Sequence, residues 1–229
     1  MADGEERVTM GVSGRILVVN PNSSEPVTAA IEAAVAPLRI AGGPEIAVDR
    51  LRSGPPGIAT QRDADSVVLP LCDLVARDPS DAFVLACFSD PGLHAVREAA
   101  GGRPVMGIAE WGLLRALTLG ESFGIVALSP ASVKRQARYV RQMGLGARYS
   151  GSWPVDASAE DTAGDAVRGR LVEAGRRLAA ERGADVIVLG CAGMAGHRRA
   201  VEDAVGRPVV EPTQWAVAAA LGALRLAAC

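Results

Sequence analysis

The chain has 229 residues, 49% of them apolar, with a formal charge of −2 and a pI near 5.8. That is enough apolar material for one large domain or two small lobes with a buried core. There is no cationic excess to neutralise nucleic-acid phosphates or an anionic membrane, and no apolar run reaches the roughly 18 to 20 residues that span a bilayer.

Residues 1–14 are acidic and polar, without the basic start and apolar run of a secretory signal, and read as a disordered tail. A cytoplasmic location follows, and the sequon Asn22-Ser23-Ser24 then goes unused. From Arg15 onward, short runs rich in Val, Ile and Leu alternate with stretches of helical period. Strands are predicted at 15–20, 45–51, 83–86, 105–108, 123–128, 186–189 and 209–211. Helices are predicted at 26–38, 66–77, 91–100, 111–119, 131–143, 166–182, 195–205 and 214–227. This is an α/β pattern with mainly parallel sheets.

The chain also resembles itself. The segment from Asp81 aligns without a gap to the segment from Asp185, bringing Cys87 onto Cys191 and matching an Arg-Pro-Val triplet and a Trp, all 104 positions apart. The starts of the halves match as well, ILVVNP at Ile16 and IVALSP at Ile125 each being a strand that ends in a polar residue and Pro. Two pseudo-symmetric lobes follow, 15–107 plus 211–229 and 108–210, with the site in the cleft between the carboxyl ends of their strands.

The four cysteines, Cys72, Cys87, Cys191 and Cys229, show no C-x-x-C spacing, so neither a zinc site nor a dithiol motif is signalled. Lys134, the only lysine, lies in a charged segment that reads as an exposed helix, which argues against pyridoxal phosphate. Cys87 and Cys191 each follow an apolar strand and precede turn-forming residues. Backbone N–H groups and a helix dipole are expected to hold both thiols below their usual pKa of about 8.5. Two such thiols on opposite faces of one molecule can invert a stereocentre, one removing a proton as the other donates. The amides of Phe88-Ser89-Asp90 and Ala192-Gly193-Met194 are the expected donors to the enolate oxygen. Cys72 and Cys229 read as structural. His94 and His197, near the cysteines, could form a Cys–His pair but fit surface or packing roles better. The glycines 190, 193 and 196 imitate a dinucleotide fingerprint without its G-x-G start. Asn20, Ser23 and Ser24 serve either as helix caps or as substrate groups.

ILVVNPNSS, GPPGI at Gly54, ACFSDPGL around Cys87, RPVMGIAEW and LGCAGM around Cys191 together resemble the hydantoin racemases of the aspartate/glutamate racemase superfamily, which includes allantoin racemase. The likeness covers nearly everything from Arg15. It implies paired thiols at Cys87 and Cys191, no metal or organic cofactor, a homo-oligomer, and a substrate whose stereocentre adjoins a ring carbonyl, such as a 5-substituted hydantoin or allantoin. On that reading Asn20, Ser129 and the amides of Phe88, Ser89, Ala192 and Gly193 bind the ring. Ala59-Thr60 and Ala127-Leu128-Ser129 depart from the usual pattern and bear on substrate choice.

The alternatives are an amino-acid racemase, a cis–trans isomerase or a decarboxylase on the same scaffold, or a two-lobed ligand-binding module without chemistry. A decarboxylase needs only one thiol. A free amino acid needs charged partners, and no basic residue stands at the strand ends in the sequence. A cyclic, uncharged substrate fits these residues better.

Overall fold

The structure, a computed structural model, describes residues 13–228. The tail reading for 1–14 lies, apart from Ser13 and Gly14, outside the described residues, as does Cys229. The chain forms two four-stranded parallel sheets. The first holds β1 (Arg15–Asn20), β2 (Glu45–Arg50), β3 (Ala82–Leu85) and β4 (Val105–Gly107) in the order β2-β1-β3-β4. The second holds β5 (Phe123–Ala127), β6 (Tyr149–Pro154), β7 (Val186–Leu189) and β8 (Val209–Val210) in the order β6-β5-β7-β8. Identical strand orders are the structural form of the sequence repeat. The central strands β1, β3, β5 and β7 are covered on both faces, which is why they read as continuous apolar runs without alternation.

The nine α-helices among the described residues run α1 (Glu25–Val35), α2 (Gln61–Ser66), α3 (Val68–Arg77), α4 (Leu93–Ala99), α5 (Ile108–Ala116), α6 (Pro130–Gln142), α7 (Arg168–Arg182), α8 (Arg198–Val205) and α9 (Pro212–Ala227). Two of them change sides. Helix α5 follows β4 but buries Ala109, Leu113 and Ala116 against β5, β7 and β8 of the second sheet. Helix α9 follows β8 but buries Ala216, Val217 and Ala220 against the first sheet and α1. The exchanged helices also pack on one another, so the lobes are tied by two crossings of the chain and a shared apolar interface.

The structure adds one strand and one helix to those read from sequence. Strand β6, YSGSWP, is polar, half-exposed along its whole length, and carries Gly151 at φ +120° beside a register shift with β5. Such an edge strand lacks the apolar signature of its neighbours. The helix expected at 66–77 is preceded by α2, whose start is fixed by a capping box: Thr60 Oγ1 accepts from the Asp63 amide and the Asp63 carboxylate accepts from the Thr60 amide. No helix among the described residues is long and apolar enough to cross a membrane.

Candidate active site

In each sheet the chain leaves the first strand to one side and later returns to its other side. This puts a topological switch point between β1 and β3, and another between β5 and β7, where ligands enter open α/β sheets. Cys87 stands just past β3 and Cys191 just past β7, at those two points. Both line a single cavity of about 820 Å³ between the lobes. The wall also includes Asn22, Ile58, Phe88, Ser89 and Ala192, together with Ser132, Arg135 and Tyr139 from α6. Cys87 keeps part of its surface open to the cavity, while Cys191 is buried.

The two turns are built alike, hydrogen bond by hydrogen bond. The Ala86 amide donates to Val19 O and the Gly190 amide to Val126 O, at 2.8 and 2.9 Å, extending the sheet to the residue before each thiol. The Asp90 amide donates to Cys87 O and the Met194 amide to Cys191 O, at 2.9 and 3.1 Å, closing the turns. The Ser89 amide then points at the Cys87 thiol and the Gly193 amide at the Cys191 thiol. The amides of Phe88 and Ala192 have no partner among the described residues. Each turn residue, from Ala86 to Asp90, lies 104 positions before its counterpart, from Gly190 to Met194.

A profile described as "Asp/Glu/Hydantoin racemase" matches residues 16–220. The hydantoin racemase of Paenarthrobacter aurescens is 37% identical over 210 residues, covering 88% of this chain and 87% of that protein. That of Pseudomonas sp. is 31% identical, covering 86% and 80%. In structure, the allantoin racemase of Klebsiella pneumoniae superposes with a TM-score of 0.87 at 29% identity, covering 93% of this chain and 89% of that one. The chain belongs to the Asp/Glu/hydantoin racemase family. It is therefore an isomerase with the two-lobed α/β fold read from its repeat.

Several expectations about this racemase change with the geometry. The thiols were expected below their usual pKa, but enclosure among protein atoms pushes Cys87 up to about 12, with the Ser89 amide opposing. Burial raises Cys191 as well, against the Gly193 amide. The expected dipole contribution is missing, because α4 starts six residues after Cys87 and only a 3₁₀ stretch, Ala192–His197, follows Cys191. With thiols this weakly acidic, log(kcat/KM) should climb by about one unit per pH unit between pH 7 and 9. A steady-state profile flat over that range would mean the reacting thiolate is already formed.

Asn20 is a correction. Its side chain is fully buried and donates to Asn22 Oδ1 at 2.9 Å and Thr28 Oγ1 at 3.0 Å, so it locks the turn into α1 and leaves Asn22 facing the cavity. Ser129 caps α6, accepting from the Ser132 amide at 3.3 Å, and Ser132 is the residue on the cavity wall. Gly193 does not reach the wall either. A Cβ there would sit 2.5 Å from Thr162 Oγ1, so glycine is what lets its amide approach Cys191. Cys87, Cys191, Phe88, Ser89 and Ala192 come together at the cavity. His197 Nε2 faces Thr162 O at 3.2 Å and His94 is exposed at the rim, so neither histidine is bonded to a thiol.

Residues the sequence reading passed over complete the site. Thr162 Oγ1 lies 3.7 Å from Cys191 Sγ and donates to Ala159 O. Helix α6 is exposed at Lys134, as expected, yet its other side lines the cavity with Arg135 and Tyr139. Asp90 is buried at φ +40°, and its carboxylate accepts from the Ala109 and Glu110 amides at 3.0 and 2.8 Å and from Tyr139 Oη at 2.7 Å. In the second repeat Glu211 serves the equivalent amides, those of Thr213 and Gln214, at 3.0 and 2.7 Å. The counterpart of Glu211 in the first repeat is Gly107, where a Cβ would fall 2.4 Å from the Asp90 carboxylate. The first lobe thus caps its exchanged helix from the thiol-bearing turn itself.

Proposed function

We propose that the enzyme racemises a hydantoin-like ring, a 5-substituted hydantoin or allantoin, by proton transfer between Cys87 and Cys191. The observation that carries this is the pair of equivalent turns that present two thiols to one cavity. The thiolate of one cysteine takes the proton from the carbon beside the ring carbonyl, and the electron pair moves onto that carbonyl oxygen. The thiol of the other cysteine gives its proton to the opposite face, leaving the thiolate there. The unpartnered amides of Phe88 and Ala192, directly after the two thiols, are the donors best placed to take the enolate oxygen, since the amides that follow them are turned to the thiols and to the turn carbonyls. Both enantiomers are served by the same two groups in exchanged roles.

The division of the chain that goes with this mechanism is 15–107 with 211–229 for one lobe and 108–210 for the other, supported by the exchange of α5 and α9. The reading also carries a cytoplasmic location, where Cys72, Cys87 and Cys191 stay free thiols, and a homo-oligomeric assembly. The homologous hydantoin and allantoin racemases support the substrate class. Polarimetry tests it: L-5-isobutylhydantoin or one enantiomer of allantoin should lose its rotation at constant concentration, faster than without enzyme. Rotation that persists with both substrates defeats the proposal.

A further inference from the structure

We propose that Arg135 is a specificity-determining residue that receives a carboxylate on the ring substituent, making acidic hydantoins the preferred substrates. This inference rests on the reading of the cavity as a hydantoin-racemase site. Arg135 lies on the cavity wall, half-buried on α6. Its Nη1 donates to Ala59 O at 2.6 Å and its Nη2 to Ser132 Oγ at 3.2 Å, both neutral acceptors. Nε is shielded from water and has no acceptor. No carboxylate among the described residues forms an ion pair with it. Asp63, the nearby acid, has committed its carboxylate to the Ala59 and Thr60 amides at 3.0 and 2.7 Å.

A guanidinium taken partly out of water without a counter-ion costs free energy, and burial here lowers its pKa. The charge is compensated when an anion enters the cavity. A hydantoin ring is met adequately by backbone amides, and the cation adds little to an uncharged substituent. A carboxylate on the substituent instead gains a charge-assisted hydrogen bond. Besides Asp63, whose carboxylate is already committed to two amides, the anion that acts on Arg135 electrostatically is the thiolate of Cys87, which lines the same cavity. That alternative makes a different prediction, because a cation acting on the thiolate changes turnover of every substrate alike.

The test compares 5-(carboxymethyl)hydantoin with its neutral isostere, 5-(carbamoylmethyl)hydantoin, for wild type, Arg135→Gln and Arg135→Lys. Wild type should favour the acid in kcat/KM by about 10- to 100-fold. In Arg135→Gln the ratio should fall to about one through the KM of the acid, and Arg135→Lys should restore part of it. A wild-type ratio near one, an unchanged ratio in Arg135→Gln, or an equal fall in kcat for both compounds overturns the proposal. Calorimetric binding of the same pair separates this from failure of the racemase reading. If neither compound turns over, tighter binding of the acid that is lost in Arg135→Gln upholds the anion site and sinks the racemase, while equal binding sinks the anion site.

Discussion

Cys191→Ala should lose racemisation by at least about 10³-fold and yet still exchange the ring C–H of one enantiomer with solvent, while Cys87→Ala does the same for the other enantiomer. A group moving a proton in the transition state contributes roughly 10²- to 10⁴-fold, and in the proposed scheme each thiol is the acid or base for its own face. The remaining cysteine can take its proton and return it, or a deuteron, to the side it came from. Inversion is what disappears. Proton NMR in D₂O on each enantiomer separately reads this directly, and residual inversion above a hundredth of wild type in either variant would exclude the two-thiol scheme. Because the turns are so nearly equivalent, both losses should be of similar size, despite the deeper burial of Cys191.

Asp90→Ala should be the most damaging change outside the thiols. It leaves two amides and the Tyr139 hydroxyl without the carboxylate they share, in a largely buried place. One unsatisfied buried donor costs about 1–3 kcal/mol, so a loss of about 3 kcal/mol is expected in urea unfolding. Asp90 also closes the turn that carries Cys87 and joins it to α6 of the other lobe, so kcat should drop by about 10²-fold through misplacement. The effect has a pH signature. Burial raises the Asp90 pKa to about 6, against the opposing hydrogen bonds from Tyr139, Ala109 and Glu110. A group raised in the folded state stabilises fully below its unfolded pKa of about 3.9, and that contribution is lost as pH rises through about 6. Wild type should therefore lose about 2–3 kcal/mol relative to Asp90→Asn between pH 4 and pH 6.5. A difference independent of pH would show that the carboxyl does not titrate there.

Much of this site was legible in the sequence because it is written twice. A lone cysteine after an apolar strand says little, but Cys87 and Cys191 at one position of two aligned segments indicated both the lobes and the cavity. The same alignment located the turns whose amides face the thiols. The thiol pKa direction was not legible, since it depends on how deeply each sulfur is enclosed, and strand-then-turn order says nothing about depth. Asn20 and Ser129 end equivalent strands and carry groups able to bind a ring, yet both serve their own helix starts, and their neighbours Asn22 and Ser132 reach the cavity. Arg135 and Tyr139 were hidden for another reason. Helix α6 reads as a charged surface helix, and only the placement of one lobe against the other shows which of its polar residues face inward. Asp90 was similarly masked, because its equivalent in the repeat is Met194 and its working counterpart is Glu211, displaced to the far end of the segment.

The measurement that bears most directly on the two-thiol claim is the position of deuterium early in the reaction of wild type with one enantiomer of a 5-substituted hydantoin in D₂O. Two thiols on opposite faces predict that the inverted product carries deuterium at the stereocentre from its first appearance, while the unreacted enantiomer is still protiated. Deuterium entering the recovered starting enantiomer as fast as the product would mean that a single group serves both faces, and would contradict the account.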